Sequence, residues 1–230
     1  MSKTDIHSKE FLEFLNQFIT PERIEKQEQV LADRTRYITA VIEDIYQPHN
    51  ASAVIRTCDC FGIQDLHIIE NKNDYRVNPK VALGSGQWVD IIKYKEQENN
   101  SLACINQLKS KGYKVVATTP HTDKSIYDLD LDQPIALVFG NEKEGISDLV
   151  KENADELVNI PMYGFTESFN ISVSAALCLS LLSEKLRTTE IDWKLSEEEK
   201  TFLMAEWAKN HLGKIDKYVF EYERIQSENA

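Results

Sequence analysis

Ile135-Ala136-Leu137-Val138-Phe139-Gly140-Asn141-Glu142-Lys143-Glu144-Gly145-Ile146-Ser147 runs an apolar stretch straight into a polar loop bracketed by glycines. The apolar stretch has no polar alternation, so both of its faces must be covered, as in a parallel strand with helices on each side. Similar short runs stand at residues 37–42, 66–69, 88–91, 115–118 and 157–160, with helical or loop sequence between them. That alternation predicts an α/β fold on a mostly parallel sheet. Ahead of it, Phe11, Leu12, Phe14, Leu15 and Phe18 follow a helical period, and Thr20-Pro21-Glu22 opens a second helix with a cap and a first-turn proline. Behind it, a long helix starts at Asn170 and reaches about Arg187, and Ser196-Glu197-Glu198-Glu199 opens a last helix as a capping box that stops at Gly213. The expected layout is a helical extension at 1–36, an α/β domain at 37–187 and a second helical extension at 188–230.

Composition fits one globular unit: 230 residues, 42% hydrophobic and 28% charged, are enough for one sizeable core. No stretch is long enough to cross a bilayer and the polar start is unlike a signal peptide, so the expected location is cytoplasmic and no membrane partner is expected. Cys58, Cys60, Cys104 and Cys178 lack paired zinc spacings, and we expect reduced thiols and no metal. The net charge of −12 argues against nonspecific coating of nucleic acid. Its distribution is uneven: residues 123–160 hold ten acids and three bases, whereas 71–95 hold five bases (Lys72, Arg76, Lys80, Lys93, Lys95) and two acids.

The turn after the first strand, residues 43–50, contains neither GxGxxG nor GxxxxGK[ST], which lowers the dinucleotide and P-loop readings. Three other segments carry polar residues at places where α/β sheets bind ligands. Residues 50–62 read as a helix capped by Asn50 and stopped by Gly62, with Arg56 in its middle, about 240° around the axis from Asn50. In the opening segment, Gly140 leaves room for a ligand to approach the backbone and Glu142 sets a carboxylate beside it. Residues 160–177 lead from a strand end through a polar loop, with Ser168 and Asn170, into the long helix, whose small residues Ser172, Ser174, Ala175 and Ala176 allow close packing. Taken singly, these segments also read as a capped helix, an ordinary turn and a pair of caps.

In order and spacing the three segments resemble the signature motifs of the SpoU/TrmH family of RNA ribose methyltransferases, within the SPOUT superfamily. The likeness runs from about residue 37 to 187 and includes Leu83-Gly84-Ser85-Gly86-Gln87-Trp88, similar to the family's G-S-x-x-W pattern. It implies a C-terminal trefoil knot whose loops cradle S-adenosylmethionine through Thr118, Phe139, Gly140, Ile160, Met162 and Phe169. It also implies transfer of a methyl group to a ribose 2′-oxygen of RNA, with Arg56, Asn50, Glu142, Ser168 and Asn170 as catalytic positions. Arginine, with a pKa above about 12, is an odd general base, so the base stays open, and charge stabilisation or a phosphate grip is the firmer role for Arg56.

The expected partners are a second copy of the chain, in a homodimer, and tRNA, with guanosine 18 of the D-loop as target. Arg23, Arg34, Arg36, Lys185 and Arg187 are expected to bear on the RNA. The alternatives are a ribosomal RNA target and a non-catalytic knotted RNA-binding protein.

Overall fold

In the computed structural model, which describes residues 4–76 and 78–228, the chain divides into a helical unit, residues 1–34 with 194–230, and an α/β unit, Thr35–Trp193. The two terminal extensions read separately from the sequence thus build one unit together. Lys80, counted above among the bases, has its side chain outside the described part.

The α/β unit holds a six-stranded, all-parallel sheet of β1 (Ile38–Glu43), β2 (Asp65–Ile69), β3 (Asp90–Tyr94), β4 (Lys114–Thr118), β5 (Ile135–Phe139) and β6 (Glu156–Val158), in the order β3-β2-β1-β5-β4-β6. Every residue of β1, β2 and β5 is buried, as unalternating apolar runs require. On one face Ile38, Ala40 and Ile42 pack with Val54, Ile55 and Cys58 of α3 (Pro48–Cys60) and with Ala175, Cys178, Leu179 and Leu182 of α7 (Ile171–Arg187). On the other face Val41, Val115, Ala136 and Val138 meet Cys104, Ile105 and Leu108 of α5 (Asn100–Ser110) and Val150 of α6 (Asp148–Asn153). A short helix, α4 (Pro79–Ala82), lies beside α3. The chain leaves the sheet at the β6 edge, yet α7 returns to lie against α3 and β1.

The helical unit joins α1 (Lys9–Asn16), α2 (Pro21–Leu31), α8 (Glu197–Leu212) and α9 (Ile215–Glu228). Its seam is aromatic: Phe11 and Phe14 each set their rings 5.2 Å from Tyr222, and Phe18 sits 5.0 Å from Tyr218. Ser196 and Glu199 close the expected capping box of α8.

Two local expectations are corrected. The third strand is Asp90–Tyr94, not 88–91, because residues 85–87 form a 3₁₀ turn that carries Trp88 outside the ladder. The helix expected to start at Asn50 starts at Pro48, whose fixed φ suits the first turn, so Asn50 lies inside it and its side chain is released from capping.

His67 of β2 is 2% exposed and 3.0 Å from the Tyr94 hydroxyl. Burial, assisted by the charges of Lys111 and Arg36, pushes its pKa from 6.5 down to about 4. The folded state therefore keeps His67 neutral while the unfolded chain protonates it, so its contribution is intact above pH 6.5 and is lost as pH falls toward 4. Denaturant unfolding of wild type and of His67→Gln is expected to diverge on acidification, the wild type losing about 3 kcal/mol more between about pH 7 and 4; parallel curves would reject the assignment.

Candidate functional site

The carboxyl ends of β4, β5 and β6 open into a cleft of ≈ 380 Å³, a size that suits a nucleoside-like ligand. Its walls come from three connecting segments, residues 118–121, 139–146 and 160–169, and from the first turn of α7. Thr118, Phe139, Gly140, Ile160, Met162 and Phe169, the expected cofactor positions, all line it, as do Glu142 and Ser168. Phe139, Ile160, Met162 and Ile171 give an apolar lining, and the loops between them offer backbone donors and acceptors. Thr119, His121, Glu144, Lys151 and Glu167 line the same cleft without having stood out in the sequence, because no spacing pattern marks residues that only the packing of separate loops and α6 brings together.

The loop after β5 is tightly closed. Asn141 and Gly145 exchange two backbone hydrogen bonds of 3.0 Å, and the Asn141 carboxamide oxygen accepts the N–H groups of Lys143 and Glu144, both at 2.8 Å. A Cβ added at Gly140 would overlap the backbone of Gly145 and Ile146. The space expected beside Gly140 for a ligand is thus filled by the loop itself, and the glycine is required by the chain's own closure.

Glu142 turns out of this loop toward the start of α3. Its carboxylate accepts the N–H groups of Tyr46 at 3.0 Å and Gln47 at 3.2 Å and the Asn50 amide at 2.6 Å. Gln47, the residue in the cap position, makes no side-chain cap, and Glu142 holds the approach to the helix instead, at a helix end that favours negative charge. Burial opposes ionisation here, but donation from Asn50 and from these backbone groups outweighs it and holds the carboxyl below the usual range. Asn50, 2% exposed, accepts in turn from the Asn170 amide at 3.2 Å, and Asn170 caps α7 through Ser172. Three of the five expected catalytic residues therefore form one relay, Asn170 to Asn50 to Glu142, joining α7, α3 and the loop after β5. Ser168 stands apart on the cleft wall.

Arg56 lies on the exposed side of α3, about 9 Å along the axis from Asn50, outside the cleft lining. It makes no hydrogen bond or ion pair among the described residues. The arginines expected to face RNA are differently occupied. Arg34 is 1% exposed with its guanidinium 5.2 Å over the Trp207 ring, which makes it a core residue of the helical unit and corrects the expectation of a surface contact. Arg36 bridges Asp65 and Asp90 at the amino ends of β2 and β3, the sheet edge opposite the cleft. Arg187 donates to Ser183 and to the Phe61 carbonyl and lies over Trp193, and Lys185 donates to the Leu129 carbonyl at 2.6 Å. Arg23 is half-buried on α2.

A cleft of mixed apolar and polar lining at the carboxyl ends of a parallel sheet, with no glycine fingerprint, makes this an α/β protein with a site for a small nucleotide-like ligand. Comparison with known families narrows that class, for the chain belongs to the SpoU rRNA Methylase family, matched over residues 37–180. It is 45% identical over 190 residues to a Borreliella burgdorferi protein named tRNA (guanosine(18)-2'-O)-methyltransferase, covering 82% of this chain and 85% of that one. It is 30% identical over 197 residues to the Aquifex aeolicus protein of the same name, covering 83% and 90%. The crystal structure of the A. aeolicus TrmH/SpoU tRNA modifying enzyme superposes with a TM-score of 0.74 at 29% identity, covering 84% of this chain and 98% of that chain.

Because the clash at Gly140 is internal, Gly140→Ala is expected to destabilise the protein by more than about 1 kcal/mol before any ligand is added, as overpacking against fixed backbone does. Chemical denaturation of the ligand-free variant checks this, and wild-type stability would return the glycine to a ligand-clearance role.

Proposed function

We propose that this chain is an S-adenosylmethionine-dependent methyltransferase that modifies a ribose 2′-oxygen in RNA, with guanosine 18 in the D-loop of tRNA as its target. The observation that carries the reading is the convergence of all six expected cofactor positions on one cleft, tied by the Glu142–Asn50–Asn170 relay to the helix that bears Arg56. The names of the relatives at 45% and 30% identity support the reaction and the target.

The cleft fits the cofactor in size and chemistry: Phe139, Ile160, Met162 and Ile171 offer apolar contact to an adenine ring, and the polar residues among 139–146 and 160–169 can read its polar edges. When bound, S-adenosylmethionine supplies an activated methyl group. The chain's own contribution is alignment and charge. Asn170, Asn50 and Glu142 hold the first turn of α3 against the loop after β5, which sets where Arg56 stands relative to the cleft. Arg56 faces solvent, so its guanidinium can stabilise negative charge developing on the ribose oxygen or grip the neighbouring phosphate. Ser168, on the cleft wall, orients the ribose.

Three finer features belong to the same reading. The C-terminal part of the α/β unit forms a trefoil knot; supporting it, the chain passes from the β6 edge back across the sheet so that α7 reaches α3 and β1. The protein works as a homodimer, for which the half-exposed Val173 and Leu177, one turn apart on α7, with Phe169 just before the helix, offer an apolar patch. It acts in the cytoplasm, where tRNA is processed, and no helix among the described residues is long and apolar enough to cross a membrane. Lys185, Arg187 and Arg23 contribute to the RNA surface only through whatever donor capacity their internal contacts leave.

Arg56→Ala is expected to cut methyl transfer at least about 100-fold while cofactor affinity stays within about threefold, the pattern of a lost charge-stabilising donor; more than about a tenth of wild-type activity would contradict the role.

The target is tested by incubating the purified protein and labelled methyl donor with unmodified tRNA and with ribosomal RNA fragments, then mapping the methylated nucleotide. Label at guanosine 18, falling steeply with added salt, is the expected result. Label confined to ribosomal RNA or to the anticodon loop would replace the substrate and keep the reaction.

A further inference from the structure

Glu43 closes β1 and is 2% exposed, a carboxylate taken almost wholly from water. Such a group persists only where donors surround it. Its Oε1 accepts the hydroxyls of Ser101 at 2.5 Å and Ser147 at 2.8 Å, and its Oε2 accepts the Ser147 backbone N–H at 2.8 Å. The sheet register explains the reach. Ile42 pairs with Phe139, so Glu43 stands abreast of Gly140, the first residue of the loop after β5, while its carboxylate grips Ser147, the residue after that loop. One residue thus serves both ends of the segment whose residues 140–146 line the cleft, its backbone abreast of the first end by register and its carboxylate bonded at the second. The next residue, Asp44, held at a φ of 50°, accepts the N–H groups of Asn71 and Lys72 at 2.7 Å, and the Asn71 amide donates to Ser101 at 2.7 Å, so the anchor is itself braced from β2.

We propose that Glu43 is a positioning residue for cofactor binding, holding the loop of residues 140–146 in its binding geometry through Ser147. It rests on the methyl-donor reading of the cleft. Glu43 is not itself among the residues that line the cleft and acts only through the shape of the segment it clamps. Nothing in its sequence context marks it: a Glu at a strand end reads as an ordinary boundary residue.

The test pairs two measurements on Glu43→Ala, Glu43→Gln and Ser147→Ala: amide hydrogen exchange at Gly145 and Ser147 in the cofactor-free protein, and S-adenosylmethionine affinity by calorimetry well below each variant's Tm. In Glu43→Ala both amides are expected to exchange at least about tenfold faster and Kd to rise at least about tenfold, as a loop freed from its support should. Glu43→Gln should restore Kd to within about threefold, because its amide oxygen can face the Ser147 N–H while its nitrogen donates to the two hydroxyl oxygens. A folded Glu43→Ala with wild-type exchange and affinity overturns the proposal. If that variant does not fold, Ser147→Ala decides, an unchanged exchange rate and Kd again overturning it. Wild-type protein that binds no S-adenosylmethionine would instead defeat the functional reading, and the exchange measurement would still report whether Glu43 sets the loop.

Discussion

The carboxylate of Glu142 is the interaction on which the arrangement of the site depends. A helix begins with backbone N–H groups that lack partners, and at the start of α3 no neighbouring side chain provides one. Glu142 arrives from a loop more than ninety residues later in the chain and takes the N–H groups of Tyr46 and Gln47, the two residues that lead into the helix, together with the Asn50 amide inside it. The bonds are charge-assisted, each worth about 1.5–3 kcal/mol where a neutral one gives less. The ion is stabilised by the helix, and the helix is fixed to the loop by the ion. Asn50 then passes the constraint to Asn170 and α7, so three elements distant in sequence share one frame.

The same economy governs the remaining charges. A chain of net charge −12 is expected to repel RNA, yet several of its acids are spent inside the fold. Glu43 and Asp44 hold loops, Asp65 and Asp90 bind Arg36, and Glu156 binds Lys114 and Lys124. The arginines divide likewise. Arg34, Arg36 and Arg187 are consumed by rings, carboxylates and carbonyls, whereas Arg56 is left to solvent. Among the described residues Arg56 has no hydrogen-bond or ion-pair partner, and it stands on the helix that the relay from Asn170 through Asn50 to Glu142 holds.

The sheet was legible because burial on both faces leaves an unmistakable texture: residues 135–139 and 115–118 read as strands and are strands. The residues that line the cleft were legible through motif order, since a strand end and the loop after it keep their spacing under any packing. The start of α3 was misjudged because Asn50 is a good local cap, and only the tertiary partner Glu142 makes it worth more elsewhere. Arg34 and Arg36 were misassigned for a similar reason: a sequence shows charge but not what lies against it, and Trp207 and Asp65 are remote in the chain. Glu43 escaped notice because its function exists only in the register between β1 and β5.

The helical unit carries a consequence for biosynthesis. Its aromatic seam joins Phe11, Phe14 and Phe18, near the start of the chain, to Tyr218 and Tyr222, near its end. At translation rates of roughly 5–20 residues per second, α1 leaves the ribosome roughly 10–40 s before its partners exist. During that interval Phe11 and Phe14 on a marginally stable helix, and Phe18 just after it, stand exposed, a surface of the kind that chaperones engage. The whole α/β unit is synthesised between the two halves of the seam, so it can fold first, and the seam closes last.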